Sequence, residues 1–157
     1  MKNFKDSLQA GIDAAKVASN NRQEIASVIR SVNEQVKEIS DGKAMFAKGK
    51  FYREPKPEAL AVKAFISIMG NAGESYQGLG IYNGDGKNGI IIAEWSEGAS
   101  GYPCSLSYAG EKTFCSNKIE LENALSDLLS QVETGEAILK QMKTFVPSDK
   151  PKDPDSA

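Results

Sequence analysis

The sequence predicts an α+β domain, with helices at both ends and an antiparallel sheet of about five to six strands between them. Three observations carry this. Apolar residues recur at helical spacing up to residue 41 and again from residue 117. Between those limits the period drops towards two, and glycine-rich turns separate short apolar runs. The wide apolar stripe of the last segment marks C-terminal helices that pack on the sheet. One domain is expected over residues 1–146, helical over 1–41, sheet over 43–116 and helical again over 117–145. The Pro-, Lys-, Asp- and Ser-rich stretch 147–157 reads as a disordered tail.

The first helix is capped by Asn3, and Phe4, Leu8, Ile12 and Ala15 keep its phase. Ser19-Asn20-Asn21 is a plausible break, because Asn21 with Glu24 fits a capping box. The second stripe is Ile25, Val28, Ile29, Val32, Val36 and Ile39, stopped by Asp41-Gly42. A single helix from residue 4 to 40 also keeps phase. A helix of that length overruns a domain of this size and calls for a partner helix. The capping signal favours two helices.

The first strand covers Met45 to Tyr52 with a kink at Gly49, and Leu60 to Met69 is a candidate central strand. Tyr76 to Tyr82 follows, with Tyr76, Gly78, Gly80 and Tyr82 on one face. Asn83-Gly84-Asp85-Gly86 is a hairpin signal that returns the chain over Gly89 to Trp95. Tyr102 to Tyr108 and Lys112 to Ser116 form a second hairpin. Asn117 caps the next helix, with Glu120 at the capping-box position. Thr134-Gly135 interrupts the helical region, and a last helix spans Glu136 to Phe145.

Composition narrows function by exclusion. The chain has 157 residues, 40% hydrophobic and 25% charged, with a formal net charge of −2. That is an ordinary globular profile, without the basic footprint of a nucleic-acid binder. Histidine is absent. The Ser-His-Asp and Cys-His devices are therefore excluded, as are histidine zinc sites. No cofactor or metal is called for. The polar start and the lack of a long apolar run predict a cytoplasmic protein with no membrane contact and with Cys104 and Cys115 as thiols.

The glycines between 70 and 80 meet neither the phosphate-loop nor the dinucleotide pattern, and strand-like sequence follows them. Asp85 sits in a loop that partly resembles a calcium loop, but Lys87 falls where an oxygen ligand is required. A two-residue turn at Ala109-Gly110 would set Cys104 opposite Cys115. A three-residue turn would set Leu106 opposite Phe114 and gather more apolar residues on one face, so it is the preferred register. The enzyme reading rests on Glu94, Glu97, Asp85 or Cys104 and fixes no geometry.

The leading expectation is a non-enzymatic module that binds another protein, such as an immunity-type inhibitor or a phage or mobile-element accessory factor. Tyr76, Tyr82, Trp95 and Tyr102 are its candidate contact residues, because tyrosine and tryptophan are over-used at binding hot spots. The N-terminal helices offer a homodimer interface through Ile25, Val28, Ile29, Val32 and Val36. Acidic residues Glu74, Asp85, Glu94 and Glu97 against Lys87 alone disfavour a nucleic-acid platform.

Overall fold

A computed structural model describes residues 1–53 and 74–147. The candidate strand Leu60–Met69 and residues 148–157 of the tail lie outside the described residues. The element order is α1 (Lys5–Ile39), β1 (Ala44–Tyr52), β2 (Ser75–Asn83), β3 (Ile90–Gly98), β4 (Gly101–Tyr108), β5 (Glu111–Cys115), α2 (Lys118–Leu129) and α3 (Val132–Thr144). The strands form one antiparallel sheet in sequence order, β1-β2-β3-β4-β5. This is the α+β fold that the two periodicities predict. Among the described residues no helix is long and apolar enough to cross a membrane.

The three described helices share one core with one face of the sheet. Phe46, Leu79, Ile81, Ala93, Trp95, Cys104, Leu106 and Cys115 meet Ile25, Ile29, Leu121, Leu125, Leu128 and Ala137 there. We call this the inner face. Strand alternation sends the intervening residues to the outer face.

The chain does not break at Ser19-Asn20-Asn21. α1 is one helix of 35 residues, about 52 Å long. Asn21 does not cap. Its Nδ2 donates to the Ser100 carbonyl at 3.0 Å, and the Arg22 guanidinium donates to the Ala99 carbonyl. A tertiary contact has taken the side chain that a helix start would need. Gly101, at φ +88°, lets the β3–β4 turn come close, since a Cβ there would lie 2.9 Å from the Asn21 Cβ. At the start, Phe4 holds the cap position while Asn3 Oδ1 accepts from the Lys5 N–H at 3.0 Å.

A second correction concerns the candidate dimer surface. Ile25, Val28, Ile29 and Val36 are buried in the chain's own core, and Val32 packs against it. The stripe is satisfied by the sheet and is not free for a second copy. The unburied apolar residues of α1 lie elsewhere, at Phe4, Leu8, Ile12, Val17 and Ile39.

The third correction is the β4–β5 register. The turn is the two-residue Ala109–Gly110, at φ +52° and +78°, the paired left-handed geometry whose twist matches the strands. Cys104 therefore faces Cys115, and Ser105 faces Phe114. Phe114 lies outside the core, 63% exposed, with the Lys112 ammonium 5.2 Å from its ring. Cys115 fills the inner position that Phe114 was expected to take.

Asn117 and Glu120 do form the cap of α2. Asn117 Oδ1 accepts from the Glu120 N–H at 2.9 Å, and Glu120 accepts from the Ser116 N–H at 2.6 Å. The following break falls at Ser130–Gln131, not at Thr134–Gly135. Thr134 is fully buried, and its hydroxyl donates to the Leu128 carbonyl at 2.8 Å, tying the first turn of α3 to the end of α2. Gln141 of α3 reaches the sheet. Its Nε2 donates to the Ile81 carbonyl at 3.0 Å, and the Asn83 amide donates to its backbone carbonyl at 3.3 Å.

Burial separates the two halves of α1 energetically. Ile25→Ala should lower unfolding stability by about 2–5 kcal/mol. Leu8→Ala should change it by no more than about 0.5 kcal/mol. Urea denaturation of both variants checks this, and equal losses would put the first half of α1 in the core.

Candidate protein-contact surface

β1 and β2 pair Phe51 with Tyr76, Gly49 with Gly78, Ala47 with Gly80 and Met45 with Tyr82. All eight are on the outer face, because they alternate with the buried Phe46, Leu79 and Ile81. The Phe51 ring lies between Tyr76 at 6.1 Å and Tyr82 at 6.2 Å, both tilted. Such spacings lie in the range of favourable aromatic pairs.

The glycines explain how the rings can lie down on the sheet. A Cβ on Gly78 would sit 2.8 Å from Phe51 Cδ2 and 2.9 Å from Ile91 Cδ1, and one on Gly80 would sit 2.7 Å from Phe51 Cζ. Cβ atoms on Gly49 and Gly89 would run into the Tyr82 ring and hydroxyl. These residues leave no groove between the tyrosines. Phe51 and Tyr82 occupy the space that the missing side chains release. Ile91 joins the patch through a bulge. Leu79 pairs with Ala93 but Gly80 with Ile91, so Ile92 is the extra residue and the strand changes phase there.

Charge surrounds the patch. The Arg53 guanidinium stands 4.6 Å from the Tyr76 ring centre and 3.0 Å from Glu94 Oε1. Tyr52, 58% exposed, has the Lys50 ammonium 6.0 Å from its ring. A shallow depression of about 470 Å³ is lined by Phe51, Tyr52, Arg53, Tyr76, Gly89 and Ile91. Burial pushes the Tyr82 hydroxyl above the usual tyrosine range.

The four candidate contact residues divide between the faces. Tyr76 and Tyr82 are together on the outer face. Trp95 is a core residue, 6% exposed, and its Nε1 donates to Glu97 Oε1 at 3.1 Å. Tyr102 is on the helix side, where its hydroxyl donates to Glu24 Oε1 at 2.8 Å. Burial, then the Glu24 carboxylate, push its hydroxyl upward. Phe51 and Arg53 were missed by the sequence reading. Their signal was present, since Phe51 on β1 and Arg53 just past its end both lie an even number of residues from Met45.

The residues of the enzyme reading do not converge. Glu94 pairs with Arg53 on the outer face, whereas Glu97 binds Lys48 Nζ at 2.8 Å beside Trp95. The Asp85 carboxylate accepts from the Lys87 N–H at 2.9 Å within its own turn. Cys104 is fully buried, and burial, then the neighbouring Cys115, push its thiol up to about 12. Among the described residues no three of Asp, Glu and Cys are grouped to hold a metal ion. No family model, curated protein or solved structure matches this chain.

Several acids here hold their protons more tightly in the folded chain. Cys104 is raised from 9.0 to about 12. Tyr108 is raised from 10.0 to about 12 by the hydrogen bond it donates to Asp127. Above about pH 9 the unfolded chain therefore holds fewer protons than the folded one, and stability falls as pH rises. The urea midpoint should be flat from pH 7 to about 8.5 and decline towards pH 12. Cys104→Ala should make that decline shallower, and an unchanged slope would exclude the thiol as a source.

Proposed function

We propose that this chain is a non-enzymatic protein-binding module whose contact surface is the outer face of β1 and β2. One observation carries this. An antiparallel sheet packed on one face normally turns a polar face to water, yet this one turns Phe51, Tyr76, Tyr82 and Ile91 outward. Among the described residues, the core does not use these rings. They lie on glycine backbone, and the Arg53–Glu94 ion pair borders them with charge. Rigid aromatics at the centre and arginine at the edge is the composition of a binding hot spot.

The partner suited to this surface is another protein with an apolar protrusion. Arg53 and Glu94 would meet its polar surroundings. A single-stranded nucleic acid is less well served, because Glu94 already neutralises the guanidinium that would meet a phosphate.

Tyr76→Ala and Arg53→Glu test the surface, since neither residue is in the core. Capture experiments with the purified chain should recover one stoichiometric protein with the wild type and lose it with both variants. Unfolding stability of both variants should stay within about 1 kcal/mol of wild type. A partner retained by both variants would move the contact off this face.

A further inference from the structure

We infer that the first half of α1 binds a second copy of itself in antiparallel register. The inference is independent of the sheet surface. It starts from a mismatch of length. The body begins to cover α1 at Ala18, which is 8% exposed, and grips it at Asn21 and Arg22. The preceding turns project from the body, and every residue from Met1 to Val17 is exposed. Isolated helices of this length are marginal in water, and helices in proteins owe most of their stability to a covered apolar face.

The projecting part has such a face. Phe4, Leu8, Gly11, Ile12, Ala15 and Ala18 share one side, and Lys2, Asp6, Gln9, Asp13 and Lys16 share the other. Phe4, Leu8 and Ile12 are 61%, 66% and 50% exposed. Phe4, Leu8, Gly11, Ala15 and Ala18 follow alternating steps of four and three residues, the seam of a two-helix coil.

Residue size along the seam selects the occupant and its direction. The large residues come first and the small ones last. A second copy laid antiparallel about a dyad between Gln9 and Ala10 puts Phe4 over Ala15 and Leu8 over Gly11, then repeats both contacts by symmetry. Every contact is large against small. A parallel copy would instead set glycine against glycine and phenylalanine against phenylalanine, leaving one void and one clash. The register also accounts for Gly11. Glycine inside a helix costs about 1 kcal/mol relative to alanine, and in the monomer a Cβ there would meet nothing within 4 Å. Across the dyad it makes room for Leu8. No charged side chain occupies the seam, and Lys5 alone borders it.

The overlap from Phe4 to Ala15 stops short of Ala18, so the two bodies stand clear at opposite ends. The contact strip is about 18 Å long and one helix wide. That is well below the ~800 Å² per partner of a standard interface, so the dimer is weak, with Kd in the high micromolar range or above.

Sedimentation of the full chain from about 10 µM to about 1 mM should show the mass rising from 16.9 kDa towards twice that value. Gly11→Leu should weaken association about tenfold or more by filling the Leu8 slot. Disulfide trapping fixes the direction. A mixture of Phe4→Cys and Ala15→Cys chains should cross-link to each other, whereas Phe4→Cys alone should not. Trp95 fluorescence reports that the body is folded in each variant. A monomer throughout the range, a Phe4→Cys homodimer, or unaltered association of Gly11→Leu would each overturn the inference.

Discussion

The structure depends on the seating of the second half of α1 across the inner face of the sheet. Ile25, Ile29 and Val36 are buried against Phe46 of β1 and Leu106 of β4. That contact fixes the rotation of the helix. Because α1 is unbroken, it also fixes the direction in which the apolar side of the projecting turns points. It sets strand parity as well. Once Phe46 and Leu79 face the helix, Phe51, Tyr76 and Tyr82 must face away. The orientations of the outer patch and of the projecting helix are thus consequences of one packing decision.

The outer patch shows glycine used for shape. In most strands glycine weakens the ladder and buries nothing. Here Gly49, Gly78 and Gly80 lower the sheet surface so that aromatic rings can lie flat on it. The β3 bulge performs a related task. It turns Ile91 outward while keeping Ala93 in the core. Small irregularities in three adjacent strands convert a water-facing surface into an apolar one.

Much of this architecture was legible in the sequence, and the failures have physical causes. The order of elements, the Asn83–Gly89 turn and the Asn117–Glu120 cap rest on local chemistry, which a sequence displays directly. The single α1 was misread because Asn21 has the chemistry of a cap but spends it on the β3–β4 turn. The β4–β5 register was misread because apolar counting put Phe114 inside, whereas the turn geometry of Ala109–Gly110 decided the pairing. The spacing of Tyr76 and Tyr82 put them on one face of a strand without saying whether that face was core or surface. Trp95 and Tyr102 were grouped with them because aromatic identity alone does not say which face a residue takes. Phe51 and Arg53 escaped notice because their importance appears only once β1 lies beside β2.

Among the described residues the sheet is a meander, in which each strand pairs only with its neighbours in the order β1 to β5. The helices close the longer separations, α1 joining Asn21 to Ser100 across 79 residues and α3 joining Gln141 to Ile81 across 60. Neighbouring pairings close short loops and form early, and distant ones wait for the chain between them. During synthesis α1 is made before the sheet, and β4 long afterwards. Its apolar stripe must therefore pass through a period with only part of its cover. The long helix is made before the sheet and is completed only after β4, so a chain halted before residue 100 exposes part of the surface that later holds the fold together.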